Sequence, residues 1–184
     1  MLHKGNVLHK TGVRKIVDCV GCGFIHADPI PSPAELGVYY QKQFYSDRWP
    51  QYITKMEFER DYWLAIYDER IRMIEEWQLP NGKKGEILDV GSGPGLFLSA
   101  ADARGWRAHG IEPSEDANNH ADSRGYGLGA WCGTLEDYPL VNKYVPSSFD
   151  AVHMSFLLEH VPDPARALQK CNALLKDDGI LCIE

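Results

Sequence analysis

Between Glu86 and Gly95 the chain reads Glu-Ile-Leu-Asp-Val-Gly-Ser-Gly-Pro-Gly, a short apolar run that passes into a glycine-rich turn and then into a helical stretch starting at Leu96. A turn of this kind needs glycine for two physical reasons. Its backbone uses angles that a Cβ would forbid, and a ligand must be able to approach the main chain closely. The same strand-turn-helix order also fixes what can surround it.

From Gly85 onward, short apolar runs alternate with helical stretches, the pattern of a parallel sheet covered on both faces by crossover helices. Ile87 to Val90 reads as a first strand, Leu96 to Arg104 as its helix, Arg107 to Ile111 as a second strand and Asp116 to Arg124 as a second helix. Leu128 to Trp131 follows as a third strand and Phe149 to Met154 as a fourth. Asp163-Pro164 caps a helix to about Leu175, Lys176-Asp177-Asp178-Gly179 turns, and Ile180 to Ile183 begins a fifth strand. The expected fold is α/β, a Rossmann-like doubly wound and mainly parallel sheet in the order 3-2-1-4-5. A strand at the last residue leaves an open edge, so residues 85–184 read as a domain truncated after its fifth strand.

The preceding residues divide in two. Residues 1–31 combine polar residues, short β-prone pieces (Val13 to Val17, Phe24 to His26) and the Pro29-Ile30-Pro31 break, and read as a small hairpin-like appendage. Residues 32–84 read as helical: Ser32-Pro33-Ala34-Glu35 has the N-cap, first-turn proline and glutamate of a capping box. A longer helix is expected from about Ile53 to Trp77, where Met56, Trp63, Ile66, Tyr67, Ile71, Ile74 and Trp77 recur at helical spacing, with Leu79-Pro80-Asn81-Gly82 ending it. Tyr39, Tyr40, Tyr45, Trp49 and Tyr52 form an aromatic group that reads first as core and second as a lid.

About twenty residues past the first glycine, the second strand ends in Ile111-Glu112-Pro113, which puts a carboxylate at the carboxyl edge of the neighbouring strand, where it can accept hydrogen bonds from ribose hydroxyls. Any adenosine-containing cofactor fits so far. Dinucleotide folds want G-x-G-x-x-G, whereas this loop is G-x-G-x-G with Leu96 in the place of the third glycine, and the acidic Asp89 precedes the turn. S-adenosylmethionine (SAM) has no pyrophosphate but carries an ammonium and a sulfonium, so an acid beside the loop suits it better.

Asp89 to Gly95, Gly110-Ile111-Glu112-Pro113-Ser114, Ser148-Phe149-Asp150-Ala151-Val152, Leu158-Glu159-His160-Val161-Pro162-Asp163-Pro164 and Leu174-Leu175-Lys176-Asp177-Asp178-Gly179 together resemble the ordered motifs of class I SAM-dependent methyltransferases, in the branch of the ubiquinone-biosynthesis O-methyltransferases. The resemblance covers about Gly85 to Glu184. It implies that Gly91, Gly93 and Gly95 line the methionine part of SAM with Asp89 and Ser92 nearby, and that Glu112, followed by Pro113, holds the ribose. Thr134 stands where members often carry Asp, so contacts to the adenine are expected around Thr134 and the Leu135 backbone. Phe156 and Leu157 would wall the cofactor near its methyl group.

The implied activity is methyl transfer to a small-molecule acceptor, at oxygen; the alternatives are a SAM-binding fragment without catalysis and a nicotinamide-dependent oxidoreductase. Displacement at a sulfonium needs chiefly positioning and desolvation. If the acceptor is a hydroxyl, His160, after the fourth strand, is the candidate base, against a structural reading as part of the loop before Asp163; His153 reads as packed.

A net charge of −7, with no run of Lys or Arg, lacks the electrostatic footprint of a nucleic-acid or membrane binder. No stretch approaches the length of a membrane span, and the start of the chain lacks a signal-peptide core, so a cytoplasmic protein is expected. Five cysteines, of which only Cys19 and Cys22 are close in sequence, fit a reducing compartment. The Cys19-Val-Gly-Cys22 spacing is half of a zinc site or a plain turn. It resembles the N-terminal extension of some SAM methyltransferases in which an earlier Cys pair completes the site, but here only His3, His9 or His26 could do so, and the reading adopted is no metal.

Overall fold

The computed structural model describes residues 3–78, 84–127, 129–139 and 147–184, and the chain divides into two units, Met1–Leu36 and Gly37–Glu184. In the first, strands β1 (Gly5–Thr11), β2 (Arg14–Cys19) and β3 (Ile25–Asp28) form an antiparallel sheet in that order. β1 was not foreseen from the sequence: its residues are all exposed, so no alternation of apolar and polar residues betrays it. Ser32 and Glu35 cap each other ahead of helix α1 (Pro33–Val38): the Ser32 N–H donates to Glu35 Oε2 at 2.8 Å and the Glu35 N–H donates to Ser32 Oγ at 3.2 Å.

In the second unit a wide-turned helical stretch, Tyr39–Arg48, carries Tyr39, Tyr40, Phe44 and Tyr45, and ends where the Trp49 N–H donates to the Phe44 carbonyl. The single long helix expected next is two helices, α2 (Tyr52–Phe58) and α3 (Arg60–Gln78), broken at Glu59. The apolar stripe nonetheless does its work. Met56 is buried from α2, and Ile71 and Ile74 are buried from α3, whereas Trp77 is exposed. The expected stop at residues 79–82 lies outside the described residues.

The main sheet is built from β4 (Glu86–Val90), β5 (Arg107–Glu112), β6 (Ala130–Cys132), β7 (Phe149–Met154) and β8 (Leu175–Ile183), connected through α4 (Leu96–Ala103), α5 (Glu115–Arg124) and α6 (Pro164–Leu174). Its order is β6-β5-β4-β7-β8 with every neighbouring pair parallel, the expected 3-2-1-4-5. This is the Rossmann-like doubly wound sheet expected from the sequence. Strand alternation divides the core: Leu88, Val90, Ile111, Val152 and Met154 face α6, and Ile87, Ala108 and Ala151 face Ile71, Ile74 and Phe97 of α3 and α4.

Two boundaries differ from the expectation. The third strand is Ala130–Cys132, with Leu128 outside the described residues. The turn Lys176–Gly179 lies inside β8 as a wide irregularity, since Phe149 pairs with Leu175 and Ala151 with Ile180. Pairing therefore begins before the turn rather than after it, and Lys176 anchors the bulge through its Nζ, 2.7 Å from Asp150 Oδ1.

Candidate functional site

The carboxyl ends of β4 and β5 lie side by side, Val90 opposite Ile111, so the glycine turn and Glu112 start from the same sheet edge. The turn is held down by two N–H groups, of Gly91 and Ser92, which both donate to the Ile111 carbonyl at 2.7 and 3.1 Å. Gly91, Gly93 and Gly95 all have positive φ, at 82°, 51° and 88°. Their surroundings separate them. A Cβ on Gly95 would fall 2.8 Å from Ala121 Cβ and 3.0 Å from Tyr126 Cβ, whereas on Gly93 it would meet only the Tyr45 hydroxyl, at 3.6 Å. Gly95 is thus required for packing against Ala121 of α5 and Tyr126 after it, Gly91 is lined by the Leu157 methyls, and Gly93 keeps backbone open at the edge.

Glu112 is 5% exposed, and both of its carboxylate oxygens are held: Oε2 accepts the Gly93 N–H at 3.0 Å and Oε1 the Ser114 N–H at 2.9 Å. Burial pushes its carboxyl up to about 7, against the pull of the Ser114 and Gly93 N–H groups and with a further push from the Asp89 charge. Each oxygen still has a free lone pair. A desolvated carboxylate with unused acceptor capacity suits a ligand that brings hydroxyl donors, such as a vicinal diol. Tyr45 and Tyr52 are both shifted upward, first by burial and next by the Glu112 charge, so these two members of the aromatic group lie near this carboxylate. Trp49, by contrast, is 59% exposed.

The other expected residues are distributed unevenly. Asp89 is buried and its Oδ1 lies 2.7 Å from His153 Nδ1, while His153 Nε2 lies 3.4 Å from Glu184 Oε1 and Glu184 pairs with Arg70. His153 is packed as expected, stacked on Phe97 with ring centroids 3.9 Å apart, but it is also charged. Burial opposes its protonation, yet the Asp89 charge and the bonds to Asp89 and Glu184 raise it to about 9. This ionic chain is invisible in the sequence because its members come from β4, β7, α3 and the residue that follows β8. Ser92 Oγ is buried without a hydrogen-bond partner among the described residues.

Pro113 follows Glu112 and its carbonyl faces Cys132 Sγ at 3.9 Å. Thr134 is spent locally: its hydroxyl donates to Asp137 Oδ2 at 2.8 Å and accepts the Asp137 N–H. The Leu135 side chain belongs to the core. Phe156 has a positive φ of 48° and is 67% exposed after β7, and Leu157 meets Gly91, its methyls 3.4 Å from where a Cβ would stand. His160 is exposed in a single 3-10 turn, its ring centroid 5.9 Å from that of Tyr40. In the first unit, Cys19 and Cys22 come together with His3 and His26, and His9 is not among them.

A family profile described as "Methyltransferase domain" matches residues 47–184. The chain is 39% identical over 111 residues to a ubiquinone biosynthesis O-methyltransferase of Actinobacillus pleuropneumoniae serotype 5b, covering 56% of this chain and 47% of that protein. It is 41% identical over 105 residues to one of Haemophilus ducreyi, covering 54% and 44%. The chain therefore spans about half the length of the curated relatives it matches. Among solved structures, the plantazolicin methyltransferase BpumL in complex with SAH superimposes with a TM-score of 0.60 at 17% identity, covering 80% of this chain and 56% of that one. At this identity the likeness concerns the fold. A profile match over 138 of 184 residues, on the sheet whose edge carries the glycine turn and Glu112, shows that this chain belongs to the methyltransferase domain family.

Proposed function

We propose that the chain binds S-adenosyl-L-methionine at the glycine turn and transfers its methyl group to the oxygen of a small-molecule acceptor, as the names of its curated relatives suggest. The observation that carries this reading is Glu112, a buried carboxylate with spare acceptor capacity beside the glycine turn and the open backbone of Gly93. Its oxygens would receive the ribose hydroxyls. Asp89, close enough to raise the Glu112 carboxyl, stands beside the turn as expected, but its charge is already met by the protonated His153, which leaves Glu112 as the acid that would face the ligand. Thr134 and the Leu135 backbone would lie along the adenine, and Phe156 and Leu157 would exclude water near the transferring methyl.

The cofactor supplies an activated methyl whose leaving group is a neutral thioether, so the chain's own residues have mainly to position the acceptor and receive its proton. His160 is the proposed base: it is exposed on the carboxyl edge of the sheet, and an imidazole takes a hydroxyl proton near neutral pH. The acidic charge argues for an acceptor that is not a nucleic acid, and the five free cysteines fit a cytoplasmic setting. Among the described residues, no helix is long and apolar enough to cross a membrane.

Calorimetry with SAM, its demethylated product and NAD tests the cofactor: the first two should bind and NAD should not, and binding of NAD alone would overturn the reading. Labelled methyl transfer to a panel of hydroxyl-bearing small molecules then tests the reaction. His160→Gln should lower kcat at neutral pH while leaving SAM affinity intact; an unchanged pH–rate profile would remove His160 from the base role.

A further inference from the structure

The first unit has very little to hold it together. Of its described residues only Val17 and Cys19 are buried among the apolar ones, and β1 is exposed along its full length. A three-stranded sheet of about 36 residues with such a core falls in the size range where a disulfide or a metal is ordinarily needed. Its cysteines are free.

At the end of that sheet four side chains converge: His3, Cys19, Cys22 and His26 each offer one ligand atom, and all four atoms lie within 4.8 Å of one another. The distances can be compared with those of a filled site. Zinc with bonds of about 2.0–2.1 Å to nitrogen and about 2.3 Å to sulfur, in a tetrahedron, sets edges of about 3.3 Å between two nitrogens and about 3.6 Å between nitrogen and sulfur. His3 Nδ1 lies 3.2 Å from His26 Nε2 and 3.7 Å from Cys19 Sγ. These two edges are already close to their bound lengths, and the remaining ones lie within 4.8 Å.

The supporting contacts agree. His26 Nδ1 lies 2.8 Å from the Ala27 carbonyl, which can only accept, so Nδ1 carries the proton and Nε2 faces the cluster with a free lone pair. The Cys19-Val-Gly-Cys22 turn is closed by the Gly23 N–H donating to the Cys19 carbonyl at 2.9 Å and the Cys19 N–H donating to the Phe24 carbonyl at 3.1 Å, with Gly23 at a φ of 77°. Those bonds fix the two sulfurs on one side of the turn. Two thiolates and two neutral imidazoles also cancel the charge of one Zn(II).

We propose that His3, Cys19, Cys22 and His26 form a structural tetrahedral zinc site that staples β1, β2 and β3 together. All four positions are protein ligands, so the metal stabilises and does not catalyse. The site replaces the metal-free turn expected from the sequence, because neither histidine is near the cysteine pair in sequence and only strand pairing brings them there. It also stands apart from the methyltransferase reading, which it neither needs nor supports.

The test is Co(II) titration of the whole chain after chelator treatment. One Co(II) per chain is expected, with the intense visible bands of a tetrahedral ion and a thiolate charge-transfer band, both erased by one equivalent of Zn(II). Cys22→Ser and His26→Ala should weaken zinc binding by at least about 10–100-fold, and Cys132→Ser should leave it unchanged. Because the wild-type titration needs no variant to fold, it decides alone whether a site exists. Absence of saturable binding, a weak octahedral spectrum, or a signal lost on changing Cys132 but kept on changing Cys22 would overturn the proposal.

Discussion

Glu112 shows how one side chain can be found from sequence and yet understood only from structure. Its position at the end of the second strand follows from spacing, but its protonation follows from 5% exposure and from the Asp89 charge nearby. With its carboxyl near 7, a ligand whose hydroxyls donate to the carboxylate must favour the ionised form and lower that value. SAM binding should therefore release a proton between pH 6 and 7, seen as a binding enthalpy that depends on the buffer, and affinity should rise from pH 5.5 to 8. Glu112→Ala should weaken SAM binding by about 1.5–3 kcal/mol, the range for hydrogen bonds to a charged group. An unchanged affinity in calorimetry would exclude the ribose role.

The glycines divide at the same scale. Gly95→Ala places a methyl 2.8 Å from Ala121 Cβ at a φ of 88°, and it should cost about 1–3 kcal/mol of stability in chemical unfolding. Gly93→Ala meets nothing closer than 3.6 Å, so at a φ of 51° it should cost only the backbone strain of a left-handed alanine, about 1–2 kcal/mol, without the packing clash of Gly95, and it should lose SAM affinity. Both residues look alike in the sequence; the neighbours that separate them, Ala121 and Tyr45, come from elsewhere in the chain.

Among the elements, α3 depends on one acid more than its amphipathic pattern suggests. Glu75 accepts Arg104 Nε and Trp106 Nε1, each at 3.1 Å, and also pairs with Lys84. Burial alone would raise its carboxyl, but these donors hold it down at about 2. Its folded value is depressed, so the stability it brings is present above the ordinary carboxylate range and is lost as pH falls toward 2. Glu75→Ala should destabilise the chain by about 1–3 kcal/mol in urea unfolding at neutral pH; a loss well under that range would mean that Ile71 and Ile74 alone dock the helix. The break at Glu59 escaped sequence reading for a related reason. Helical spacing of Met56, Trp63 and Tyr67 persists across the interruption at Glu59, because periodicity records faces and not continuity.

For the molecule as a whole, the Asp89–His153–Glu184–Arg70 chain makes stability depend on pH in a definite direction. His153 is raised to about 9 in the fold, so its contribution is complete below its ordinary value near 6.5 and is lost as pH rises through 9. Thermal unfolding of the unliganded chain should therefore show a falling Tm from pH 6.5 to 9. His153→Asn should flatten that slope while lowering Tm throughout, because it leaves Asp89 buried without its partner. A wild-type Tm constant over this range would show that His153 is neutral in the fold.

The sequence by itself determined the sheet order, the carboxyl-edge position of the glycine turn and Glu112, and the capping of α1 and α6. These follow from local rules: apolar runs, glycine and proline placement, and the side-chain caps at Ser32 and Asp163. Tertiary structure alone decided the roles that require residues distant in sequence to meet. Burial made Glu112 a weak acid, pairing across β4 and β7 charged His153, and the antiparallel sheet brought His3 and His26 to the Cys19–Cys22 turn. Desolvation and charge pairing depend on three-dimensional neighbours, which no local pattern encodes.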